Sequence, residues 1–149
     1  MPPTNGSLIQ LYLNRKGSEV YMLKSALTEA GFWIGQPPAI SLRPVDKVSL
    51  ANCLNEALAA PTACVPTPSR DAFPTPIDLG IPYKKSWRSL HKDFYSVSIS
   101  SSTTGLLTVS CYQPDGLLDE AQTREYSGPD AFAAVVDNIA DRIGTIAHH

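Results

Sequence analysis

The run Tyr95-Ser96-Val97-Ser98-Ile99-Ser100, followed after Thr103-Thr104-Gly105 by Leu107-Thr108-Val109-Ser110-Cys111-Tyr112, decides the fold. Apolar and hydroxyl-bearing side chains alternate with a period of two, which is the pattern of strands that bury one face. Two such runs joined by a short glycine-containing turn predict an antiparallel hairpin with Tyr95, Val97 and Ile99 on the buried side. A third, more polar strand is predicted from Glu120 to Tyr126.

On the C-terminal side of this hairpin, Phe132, Val135, Val136, Ile139 and Ile143 stand at i, i+3, i+4, i+7 and i+11, one apolar face of a helix. Ser127-x-x-Asp130 has the spacing of a capping box and Gly144 reads as the stop, with Asp137 and Asp141 turned away from the apolar face. On the N-terminal side, Ser7 to Leu13 and Glu19 to Leu23 flank the turn residues Asn14-Arg15-Lys16-Gly17 and predict a second hairpin. Gly31, Pro37 and Pro38 interrupt the next extended stretches. Leu50, Leu54 and Leu58 then recur at helical spacing, with Asp46 or Ser49 as cap and Pro61 as terminator.

Six of the thirteen prolines fall between Pro61 and Pro82. That segment lacks either periodicity, yet Val65, Phe73, Ile77, Leu79 and Ile81 make it too apolar for disorder, so it is expected to lie against the core. These elements predict one α+β domain over residues 1–147: a mixed, mainly antiparallel sheet packed with two main amphipathic helices. Its strand-helix halves span about 7–60 and 83–147, joined by the proline-rich connection 61–82. A weak internal repeat and the ordinary recurrence of such units explain that symmetry equally well. The terminal pair His148-His149 reads as a tag remnant.

With 43% hydrophobic and 17% charged residues, the composition is that of a folding domain. No run reaches the roughly 18 apolar residues of a membrane span, so a cytoplasmic protein is expected. Cys53, Cys64 and Cys111 are odd in number and widely spaced, which suggests neither a disulfide framework nor a zinc site. The net charge of -2 conceals an asymmetry: residues 1–112 carry ten Lys/Arg and seven Asp/Glu, giving +3, and residues 113–149 carry two and seven, giving -5. Direct nucleic-acid binding calls for a basic footprint that this chain lacks.

The chemistry-bearing residues form no recognisable catalytic set, so neither enzyme activity nor a cofactor or metal is expected. His91 is the one histidine outside the terminal pair, no nucleophile elbow accompanies it, and it reads as a surface residue in a basic segment. Gly35, Gly80, Gly105, Gly116 and Gly128 are isolated rather than arranged as a phosphate-binding loop. Asp115, Asp119 and Glu120 read as a solvated turn rather than a metal site. In Tyr83 to Lys92, cations surround Trp87. An anion-binding patch is one reading, but Trp87 and Leu90 as core anchors on a short helical turn is the preferred one. A -5 segment can also steer a basic protein partner.

The run Ala30-Gly31-Phe32-Trp33-Ile34-Gly35-Gln36-Pro37-Pro38, the helix Leu50 to Leu58, the segment Lys85-Ser86-Trp87-Arg88-Ser89-Leu90 and the final helix Phe132 to Ile143 together resemble the CdiI immunity proteins of bacterial contact-dependent growth inhibition. The likeness spans about residues 18 to 145. It implies a cytosolic protein that binds the C-terminal toxin domain of a CdiA effector, commonly a nuclease, with Trp33 and Trp87 in the core. No contact residue follows from the resemblance. The acidic positions Asp115, Asp119, Glu120 and Glu125 are the expected toxin-binding residues on charge alone. Two rival expectations are a small enzyme with a deep polar pocket around His91 and acidic neighbours, and a secretion chaperone or adaptor with a large apolar groove.

Overall fold

Two antiparallel hairpins, side by side, build the centre of an eight-stranded sheet. The computed structural model describes residues 6–15, 19–42, 46–59, 62–81, 85–102, 105–112 and 118–147. The strands are β1 (Leu8–Asn14), β2 (Val20–Thr28), β3 (Trp33–Gly35), β4 (Ile40–Leu42), β5 (Cys64–Val65), β6 (Phe94–Ser101), β7 (Leu107–Tyr112) and β8 (Leu118–Tyr126). The helices are α1 (Lys47–Ala59), α2 (Trp87–Asp93) and α3 (Ala131–Ala147). The architecture is α+β, as the sequence predicts.

The sheet runs β3-β2-β1-β6-β7-β8, with β4 and β5 also paired to β2. All pairings are antiparallel except β2 with β5. Both predicted hairpins form, and β1 joins them by pairing along its whole length with β6, from Leu8 opposite Ser100 to Asn14 opposite Phe94. β2 continues beyond Leu23, where the sequence reading stopped, to Thr28. Its second half pairs with β3 and β5, so the interrupted segments serve as short lateral strands.

One face of the sheet is covered by α1 and α3. Ile9 and Leu11 of β1, Val97 and Ile99 of β6, and Val109 of β7 meet Leu50, Leu54, Val135 and Ile139 there, each no more than 2% exposed. Burying such side chains contributes roughly 1.5–3 kcal/mol apiece, and this layer is the main core. A smaller cluster of Tyr12, Tyr21, Leu23, Leu79, Ile81, Leu90 and Phe94 occupies part of the opposite face. α2 and the connection 62–81 cover it. Trp87 packs on this cluster and donates its indole N–H to the Pro74 carbonyl at 3.1 Å. The connection therefore lies against the core through Leu79 and Ile81, while Phe73 and Ile77 remain exposed.

Asp46 caps α1 as the sequence suggests, Ser86 caps α2 where no cap is predicted, and α3 departs from its expected cap. Asp46 accepts from the Ser49 backbone N–H at 2.7 Å, and Ser86 accepts from the Ser89 backbone N–H at 3.1 Å to start α2. α3 begins at Ala131, about one turn later than a Ser127–Asp130 box requires, because Gly128 takes a left-handed φ of 88° just before Pro129. Nor does Gly144 stop this helix: it keeps a helical backbone and α3 continues to Ala147. Trp33 is half-buried and belongs to neither core cluster, in contrast to the core position that the resemblance implies.

Candidate functional site

Strand register assembles the most distinctive polar feature on the face away from α1 and α3. Tyr12 stands opposite Ser96 and Ser96 opposite Tyr112, so the three form one row across β1, β6 and β7. The next row is Gln10, Ser98 and Ser110. The serines of the central strand are buried between the two flanking tyrosines, Ser96 at 6% and Ser98 at 3% exposure. His91, in the last turn of α2, closes one end. Gln10, Tyr12, His91, Ser96 and Tyr112 thereby line a pocket of about 240 Å³.

The polar groups of this pocket are tied together. The Ser96 hydroxyl and His91 Nδ1 share a hydrogen bond at 3.2 Å, and the Ser98 and Tyr112 hydroxyls share another at 3.3 Å. Tyr12 is held from behind by Trp87, with ring centroids 6.1 Å apart. Burial holds the His91 pKa below its ordinary value, and the nearby Arg15 charge acts in the same direction. Arg15 itself donates to the His91 carbonyl at 3.1 Å and lies over the Tyr95 ring at 4.0 Å. Burial, and secondarily Tyr112, raises the Tyr12 pKa. Both shifts favour the uncharged forms of His91 and Tyr12.

His91 is accordingly not the surface residue the sequence suggests; it is half-buried and bonded to β6. A polar pocket does surround it, but none of the five lining residues is a carboxylate. A neutral imidazole 3.2 Å from a serine hydroxyl is suited to accepting a proton. Nucleophilic catalysis also needs a group that orients the base and donors for the developing oxyanion, and the lining includes no acidic partner for the base.

Three of the four expected acidic positions share one strand. Asp115 lies outside the described residues. Asp119, Glu120 and Glu125 all fall on β8, the last strand in the sheet order, with Asp119 opposite Cys111 and Glu125 opposite Thr108. The register shifts between Val109 and Cys111, so these positions do not form one regular alternating row. Glu125 is exposed. Elsewhere in the acidic segment, Asp137 pairs with Lys47 across α3 and α1, an exposed ion pair that offsets part of the charge locally. Among the described residues no cluster of His, Cys, Asp and Glu is arranged to hold a metal, and no helix is long and apolar enough to cross a membrane.

No family model matches the chain, and no curated protein matches it. Among solved structures it is similar to a protein of unknown function from Neisseria meningitidis, with a TM-score of 0.58 and 16% sequence identity, over 95% of this chain and 98% of that one. At this identity the likeness shows a shared fold.

Proposed function

We propose that this protein is an immunity protein that binds and neutralises the C-terminal toxin domain of a contact-dependent growth inhibition effector, acting in the cytoplasm on a basic, nuclease-type domain. The observation that carries the reading is the acidic terminal strand: three acidic positions on β8, at one end of the sheet order, against the single basic residue Arg124. A strand in that position offers backbone groups and a charged rim together, and a negative rim speeds encounter with a positively charged partner. The resemblance of the aromatic and helical segments to CdiI proteins supports the same reading. Inhibition by binding asks for a preorganised surface and no reactive group.

The test is co-expression with the C-terminal toxin domain of the cognate effector. Growth should be restored by the wild-type protein. Reversing charge at Asp115, Asp119, Glu120 and Glu125 together should lower the association rate about 10-fold or more at low salt, with a smaller difference at high salt. Persistent growth arrest despite abundant soluble protein would overturn the function. Unchanged kinetics in the fourfold variant would overturn the surface.

A further inference from the structure

We propose that the exposed cations on and beside α2, Lys85, Arg88 and Lys92, form a docking site for a short acidic segment of a protein partner. Its charge is opposite in sign to that of the acidic positions on β8, so this is a second surface and does not rest on the toxin reading.

Sequence concentrates the charge and folding adds to it. Residues 84–93 hold four Lys/Arg and one acidic residue, Asp93, a net +3 that equals the whole excess of residues 1–112. Trp87 and Leu90 pack on the smaller core cluster beneath α2, which leaves Lys85, Arg88 and Lys92 exposed. Arg88 and Lys92, four residues apart, share one side of the helix. Arg15, just after β1, brings a further cation to the C-terminal end: its backbone N–H donates to the Asp93 carbonyl at 2.8 Å and its guanidinium to the His91 carbonyl at 3.1 Å. Among the described residues no carboxylate pairs with Lys85, Arg88 or Lys92.

The stability of α2 accounts for only half of this arrangement. Lys92 and Arg15 lie at the end of the helix where its dipole favours positive charge. Lys85 and Arg88 lie at the other end, on either side of the Ser86 cap, where the same dipole disfavours it, and the first turn has no acidic residue to offset them. A local rule broken without a compensating contact points to a position kept for recognition.

Size and sign select the occupant. The seven residues of α2 span about 10 Å, a length that three or four extended residues cover. Recognition is by side chains, with two or three carboxylates of the partner meeting the cations. A nucleic acid or an anionic membrane would reach far beyond the patch. Taking +3 for residues 84–93 from the chain's net charge of -2 leaves -5 on the rest, which repels an extended polyanion and leaves a short acidic segment unaffected beyond the screening distance of about 8 Å.

Titration of the isotope-labelled full chain with a blocked hexaglutamate peptide, followed by NMR at low and at high salt, tests this. The expected result is saturable shifts at Arg15 and from Lys85 to Lys92, weaker at high salt. Reversing charge at Lys85, Arg88 and Lys92 together should weaken binding at least about tenfold, while Lys47→Gln leaves it unchanged. The double variant Lys85→Glu with Arg88→Glu suits the dipole, so it should lose binding with its denaturation midpoint unchanged or raised; it carries the test if the triple variant fails to fold. Absence of saturable shifts, or unchanged affinity in the reversed variants, would overturn the site. A lowered midpoint in the double variant would make these cations structural and overturn the argument for recognition. Tighter binding of oligothymidylate or of phosphatidylserine vesicles would overturn the choice of a protein partner, and salt-dependent self-association shifting the same signals on dilution would replace that partner with a second copy of this chain.

Discussion

The two faces of the sheet are built by alternate residues of the same strands, yet they do different work. On the face toward α1 and α3, Ile9, Leu11, Val97, Ile99 and Val109 present branched side chains to helices that present Leu54, Val135 and Ile139 in return. On the other face, the neighbouring positions Gln10, Tyr12, Ser96, Ser98 and Tyr112 present hydroxyls and an amide, and the cover extends only partway. Adjacent positions along one strand therefore divide into a closed apolar layer and a partly covered polar one. Truncations on the first face should destabilise the protein strongly, and removal of the Ser96 or Ser98 hydroxyl on the second should cost far less.

The largest effect expected is on the covered face. Leu54→Ala or Ile139→Ala removes a side chain with no exposed surface and should cost about 2–5 kcal/mol in chemical denaturation, with the spread set by how far the cavity collapses. A loss under about 1 kcal/mol would mean that α1 or α3 is not firmly docked. Next comes the cover of the other face. Ser86→Ala deletes the α2 cap and should cost about 1 kcal/mol. Because α2 carries both Leu90 and His91, the same variant should also broaden the NMR signals of the pocket residues.

Smaller still is Ser98→Ala on the open face. Its hydroxyl shares a 3.3 Å hydrogen bond with Tyr112, near the long end of useful distances, so about 0.5 kcal/mol is expected. A value approaching that of Leu54→Ala would dissolve the distinction between the faces and make the serine column part of the structural core.

Much of the covered face was legible in the sequence, because each of its residues announces itself by local period. Val97, Ile99, Val109 and Cys111 are buried as alternation requires, and Leu50, Leu54, Val135, Val136 and Ile139 are buried as helical spacing requires. Tyr95 is the exception on its strand: it is 41% exposed at the end of β6, beneath Arg15. The open face was not legible. Ser96 and Ser98 read as solvent positions but are 6% and 3% exposed, because flanking tyrosines from β1 and β7 stand over them. That arrangement depends on the pairing of residue 12 with 96 and 96 with 112, and a chain read in isolation does not reveal register between strands 84 residues apart. A tyrosine at a polar position of each flanking strand was the available signal, and only register gives it meaning.

The finest test separates the faces by pH. Burial and Arg15 lower the His91 pKa below 6.5 in the folded protein, so between that lowered value and 6.5 the unfolded chain binds more protons than the folded one. Stability should then rise with pH through this window and be lost as pH falls from 6.5 toward the folded value. Asp46, beneath α1, behaves in a separate range: bonds from Ser49 hold its pKa below 3.8, so its contribution is present above 3.8 and disappears only as pH falls through its folded value. Asp78, held low by Thr75, joins it there. The slope near pH 6 is therefore assigned to the open face and the slope below pH 4 to the caps. His91→Gln should flatten the first and leave the second, measured by denaturation midpoints across pH 3–8. Arg15→Gln should leave the His91 transition in place but move it upward. If the slope near pH 6 survived in His91→Gln, the imidazole would not be half-buried against Ser96.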